Sequence, residues 1–288
     1  MSGADNNETT ENENQQDDYE KENYVRVQDY TGEGYTLYDA NEEYGKIAEE
    51  NRDKVISAVQ QYFLDNYSVE VEVHNIVSAM DGVTVFVESI GEPHFNTIAI
   101  VPIDLKNEEI KTDSVWSRDG EVEFAIQGGL YAMAFEEEFT KLDTYLEEIT
   151  QQYSVIATPL EVVRKVQAHG HSTQYYFISA AGNVFREVLA EYLANPQITK
   201  EELERFFEEN PIDPRYLNVN IEFYMENSET EPDEEIFNQI VTDIEEMKGI
   251  PAGGYSIFLN DNYIDKTRGS GKKESTLERK APDKIMKD

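Results

Sequence analysis

The residues best suited to chemistry are few, because the 288-residue chain has four histidines and no cysteine. His169 and His171 stand two apart in Ala168-His169-Gly170-His171. In an extended stretch alternate side chains share a face, so both imidazoles would point one way, as two ligands of a zinc or manganese ion require. His169 and His171 are therefore the candidate metal ligands, with carboxylates to complete the set. The bland alternative is a glycine-flanked surface turn. His94 sits in the loop Gly91-Glu92-Pro93-His94-Phe95, and His74 shares a strand face with Glu70 and Glu72. Thiolate ligands, structural disulfides and cysteine nucleophiles are excluded.

Carboxylates are too numerous to single out. Adjacent acids such as Glu136-Glu137-Glu138 or Glu147-Glu148 point in different directions on a helix and read as a solvated face. Asn260-Asp261-Asn262 with Asp265 is a weak match to a calcium loop, lacking the glycine at the sixth position and the distant bidentate glutamate. The phosphate-binding, dinucleotide-binding, zinc-protease and serine-elbow motifs do not occur in the expected folded region. No catalytic residue and no cofactor is assigned. With 60 acidic against 24 basic residues and a formal charge of −36, nucleic acid is excluded as an unaided partner, since phosphates would meet a repulsive field. No run approaches the roughly 18 apolar residues of a membrane span.

The elements that must position these groups read as α+β. Apolar positions from Tyr44 to Phe63 lie on one helical stripe, giving a long helix over about 40–65 with Asp39 as N-cap. The period then changes to two. Val69, Val71 and Val73 alternate with Glu70, Glu72 and His74, and Asp81-Gly82 turns into Val83, Val85 and Val87. Ile98 to Ile103, apolar on both faces, completes an antiparallel meander. The second half is more helical with isolated strands. Two helices or one broken helix cover 121–152, and Pro159 opens a short one through Val166. Thr199 and Glu202 form a capping box, and Leu217 to Met225 and Tyr255 to Leu259 are strands.

Residues 1–23 read as a disordered acidic tether and 265–288 as a disordered basic tail, both poor in apolar residues. Between them 24–264 is globular, as one body or as two subdomains over about 24–152 and 153–264. A duplication finds no register in which side chains match.

Three stretches carry a resemblance. They are Val25-Arg26-Val27-Gln28-Asp29-Tyr30-Thr31-Gly32-Glu33-Gly34-Tyr35, then Val83 to Ser89 followed by Gly91-Glu92-Pro93-His94-Phe95, and the segment ending Val101-Pro102-Ile103. Together they resemble an uncharacterised family of lipoproteins, a domain of unknown function, from staphylococci, bacilli and related Gram-positive bacteria. The resemblance implies export and attachment to the outer face of the cytoplasmic membrane by a lipidated cysteine. It implies no activity and carries no catalytic residues. Family members start with a signal peptide and a lipobox cysteine, whereas this sequence starts Met1-Ser2-Gly3-Ala4. Small residues commonly follow a lipobox cysteine, so Met1 is read as standing in its place.

The functional expectation is a surface-tethered lipoprotein with a non-enzymatic binding role. Its partner would be a cell-wall component, a peptide or another surface protein, and the membrane is met only through the lipid anchor. The alternatives are a metal-assisted hydrolase on His169 and His171 and a calcium-dependent adhesion or sensing module.

Overall fold

Alternating valines and charged residues build the first sheet of the computed structural model, which describes residues 19–288. Helical residues 19–23 lead into a short strand β1 (Tyr24–Arg26), followed by helices α1 (Glu42–Glu50) and α2 (Arg52–Tyr67). The single helix expected over 40–65 is thus two, broken at Asn51. The Asn51 side-chain amide donates to the Ile47 carbonyl at 2.9 Å, a local bond that competes with continued helix. The N-cap is Asn41, whose side chain accepts from the Glu43 N–H at 3.0 Å; Asp39 has a positive φ of 58° and belongs to the preceding turn.

Strands β2 (Val71–Ser78), β3 (Gly82–Ser89) and β4 (Asn96–Asp104) form the expected antiparallel meander, extended by a short β5 (Glu109–Ile110) in the order β2-β3-β4-β5. Every residue of β3 is buried. A β-bulge between Val73 and Asn75 interrupts the β2–β3 register at His74.

Helices α3 (Glu121–Ala134) and α4 (Glu136–Gln152) follow, then β6 (Val155–Ile156), α5 (Leu160–Val166), β7 (Tyr176–Ala180), α6 (Asn183–Ala194) and α7 (Lys200–Glu209). The capping box is present: Thr199 accepts from the Glu202 N–H, and the Glu202 carboxylate accepts from the Thr199 N–H. The chain continues through β8 (Leu217–Met225), α8 (Glu234–Glu246), β9 (Gly253–Asn260), β10 (Tyr263–Asp265), β11 (Leu277–Arg279) and β12 (Ile285–Lys287). In the second sheet β8 and β9 are parallel, a pairing that needs a crossover, here α8. The antiparallel strands β6 and β7 flank β8, and β11 and β12 flank β9. Away from both sheets, β1 pairs with β10.

The expected basic tail is ordered, which corrects the sequence reading of 265–288. β11 and β12 occupy the outer edge of β9, with Leu277 opposite Leu259 and Ile285 opposite Tyr255. Their basic residues find acids: Lys273 pairs with Asp261 at 2.7 Å and Arg279 with Glu245 at 3.2 Å. Of the tether expected over 1–23, residues 1–18 lie outside the described residues and 19–23 are helical. Tyr19, at its end, donates from its hydroxyl to Asp265 at 2.8 Å.

One buried apolar cluster contains side chains of both sheets, among them Val85 and Val101 of the first and Val219, Ile221 and Ile257 of the second. Helix α3 joins them and is buried on nearly all sides. Its Gly128-Gly129 pair permits the close approach. A Cβ on Gly129 would stand 2.9 Å from the His94 carbonyl oxygen, and one on Gly128 would stand 3.4 Å from Ile178 of β7.

Candidate functional site

The hairpin register places Glu88 of β3 directly opposite Glu72 of β2, and the bulge turns His74 toward the same carboxylate. His74 Nε2 lies 2.8 Å from Glu88 Oε2, and His94 Nε2 lies 2.9 Å from Glu88 Oε1. An ionised carboxylate only accepts, so both rings donate from Nε2. Arg164 of α5 brings its Nε within 2.9 Å of Glu88 Oε2. Burial pushes the Glu88 carboxyl up, but the hydrogen bonds from His94 and His74 and the charge of Arg164 outweigh it. The carboxyl is held below its ordinary range.

Three of the four histidines join in one chain of contacts. The His171 Nδ1–H donates to the His94 carbonyl at 3.0 Å, and the two rings meet edge to face with centroids 5.6 Å apart. That bond fixes the tautomer and leaves Nε2 of His171 as an acceptor. The His171 ring is set deep in the protein with part of its surface on a cavity wall, and burial pulls its pKa down to about 4.

The cavity has a volume of about 370 Å³. Helix α4 lines it with Glu136, Phe139, Thr140 and Asp143, a stripe at the i, i+3, i+4, i+7 spacing that puts side chains on one helix face. Tyr176, the first residue of β7, lines the cavity beside them, its ring stacked on Phe139 at 5.9 Å and 20°. Burial pushes the Asp143 carboxyl up, and the neighbouring Tyr176 hydroxyl only partly offsets this. Asp143 Oδ1 and the Tyr176 hydroxyl are both buried and interact with one another, but the contact falls short of a well-formed hydrogen bond and neither atom has another partner among the described residues. At the rim the capping box of α7 sets Lys200, which pairs with Glu136 at 3.0 Å. A more apolar groove of about 450 Å³, lined by Phe135, Phe207, Ile250 and Pro251 among others, lies elsewhere. Underpartnered polar groups and shifted acid–base groups converge on the α4–β7 cavity.

The candidate pair His169 and His171 is not brought together. Gly170 has a φ of 78°, so the segment is not an extended strand and alternation does not hold. His169 packs on Phe177 with centroids 4.7 Å apart and lines a different cavity with Asp119, Glu121 and Phe124. The calcium-loop match dissolves in the same way. Asn260 donates to Glu222, Asn262 donates to Gln28 and to two backbone carbonyls, and Asp261 holds Lys273. Glu88 and Arg164 were not singled out from the sequence. The hairpin signal at Asp81-Gly82 contains the information that places Glu88 near Glu72 and His74; nothing local announces Arg164.

Residues 17–287 match the sequence model of a family described as a protein of unknown function, DUF1672. The fold is similar to the crystal structure of a DUF1672 family protein from Staphylococcus aureus subsp. aureus Mu50. The TM-score is 0.74 at 18% identity, covering 92% of this chain and 98% of that one. At such identity the likeness shows a shared fold alone. No curated protein matches the chain.

Proposed function

The chain belongs to the DUF1672 family, whose function is unknown, and on that premise we propose a non-enzymatic binding protein of the bacterial envelope that takes a polar ligand in the α4–β7 cavity. A lipid anchor would hold it at the outer face of the cytoplasmic membrane. The observation that carries the reading is the buried pair at the cavity wall, Asp143 Oδ1 and the Tyr176 hydroxyl, which have only a poorly formed contact with one another. Both atoms are closed off from solvent, so a ligand that shifts the wall side chains and completes their hydrogen bonds recovers part of the about 1–3 kcal/mol that an unsatisfied buried polar group costs. The stacked Phe139 and Tyr176 rings give the wall an apolar edge, His171 offers an acceptor, and Glu136 with Lys200 offers both charges at the entrance. That set suits a sugar or short peptide of the cell wall, where hydroxyl and amide groups alternate with apolar faces.

Calorimetry with soluble muropeptides tests the reading. Binding should weaken about tenfold in Asp143→Asn and Tyr176→Phe, since each removes one recognition group worth about 1.4 kcal/mol. Equal affinity in the wild type and both variants, or no binding by any of them, contradicts it. The anchor is tested separately by labelling the native gene product with radioactive palmitate; an unlabelled protein in the cytosolic fraction would refute that part.

A further inference from the structure

Glu72 and Glu88 face one another across the β2–β3 ladder, where like charges repel unless a cation lies between them. The bulge adds His74 to the same patch, and one donor atom from each of Glu72, His74 and Glu88 lies within 4.8 Å of the other two. Glu88 is buried at 8% exposure, whereas Glu72 is exposed and free to swing. The cation now on Glu88 is ill-seated: Arg164 Nε is 2.9 Å from Oε2, yet it is buried and lacks a well-formed hydrogen bond among the described residues.

We propose that Glu72, His74 and Glu88 form a binding site for a divalent transition metal ion of the zinc class, for which the Arg164 guanidinium is the built-in competitor. Two carboxylate oxygens and one imidazole nitrogen are a borderline donor set. It suits Zn²⁺ better than Mg²⁺ or Ca²⁺, which prefer oxygen alone. Ligand bonds of about 2.0–2.2 Å require donor atoms some 3.4 Å apart in a tetrahedron. The exposed Glu72 side chain closes the remaining gap by rotation, and water fills the fourth position. His74 must present a bare Nε2 to the metal, so its proton passes through solvent to Nδ1, with no net proton released. His94 keeps its hydrogen bond to Glu88 Oε1 and holds the carboxylate in place, as partners of ligating groups commonly do. The site does not depend on the cavity ligand.

Calorimetry of the full chain with ZnCl2 and with MgCl2 tests the proposal, with circular dichroism to confirm folding. The expected result is one Zn²⁺ per chain, binding weakened by at least about tenfold in His74→Ala and Glu72→Gln, since losing a ligand costs no less than losing its outer-shell partner, and no Mg²⁺ binding. Glu72→Gln keeps the test sound should His74→Ala unfold, because Glu72 is exposed. Arg164→Met should bind Zn²⁺ more tightly, by about tenfold, since it removes the competing charge while Glu88 and both histidines remain. The proposal is overturned if neither the wild type nor Arg164→Met binds Zn²⁺. It is equally overturned if binding survives Glu72→Gln unchanged, or if Arg164→Met binds more weakly.

Discussion

Glu88 and Asp143 are two acids set into the same molecule, and their carboxyl groups move in opposite directions. Glu88 lies on β3 beside the bulge of β2 and helix α5, and receives two imidazole donors and the charge of a guanidinium. Asp143 lies on a cavity wall with one phenol as its only partner, in a poorly formed contact. Burial raises both; partners reverse the sign for Glu88 alone. The difference separates a region that holds the fold together from one with unspent bonding capacity. Stability should reside chiefly in the first, and recognition of the cavity ligand in the second.

The largest expected effect breaks the first region. Glu88→Leu leaves His74, His94 and Arg164 without their acceptor, and urea unfolding should show a loss of about 3 kcal/mol, as when one partner of a buried ion pair is removed. A loss below about 1 kcal/mol would place the network among ordinary surface contacts.

Acid should produce a comparable loss through His171. Its folded pKa of about 4 lies below the ordinary value of 6.5, so between the two the unfolded chain binds more protons. The stabilisation is complete above pH 6.5 and is lost as pH falls toward 4, by about 3 kcal/mol in all. Glu88, whose pKa is also lowered, adds a further loss below its ordinary value of 4.5. Unfolding free energies measured across this range should flatten between pH 6.5 and 4 in His171→Gln; an unchanged slope would assign the acid sensitivity elsewhere.

Gly129→Ala tests the junction of the two regions. The added methyl meets the His94 carbonyl at 2.9 Å and Pro93 Cβ at 3.0 Å. Overpacking of this kind costs roughly 1–3 kcal/mol, readable as a lower thermal midpoint. The smallest effect belongs to the second region. Asp143→Asn should change stability by less than about 1 kcal/mol at pH 8, because it removes an acid whose ionisation burial opposes. A large destabilisation there would make Asp143 a structural residue after all.

Much of this was legible along the chain, for reasons that vary with the element. Thr199 and Glu202 specify the start of α7 by local hydrogen bonds, and the valine alternation of β2 and β3 needs only a hairpin to find its partner. β11 and β12 were illegible because each is three residues long and carries little apolar surface. Their order comes from the open edge of β9 and from acids distant in sequence, such as Glu245 and Asp261. The His169–His171 pair misled because Gly170, with positive φ, ends the alternation on which the spacing rule depends. Glu88 sat within reach of hairpin arithmetic. Arg164 and Asp143 meet their partners only through tertiary packing, which no local pattern encodes.

The cavity assignment is tested most directly by methyl NMR of Ala132 and Met133, both on its wall, during titration with soluble muropeptides. Saturable shifts at these two methyl groups, lost in Asp143→Asn, are the predicted result. Shifts that persist in Asp143→Asn, or that appear instead along the apolar groove at Ile250, would contradict it.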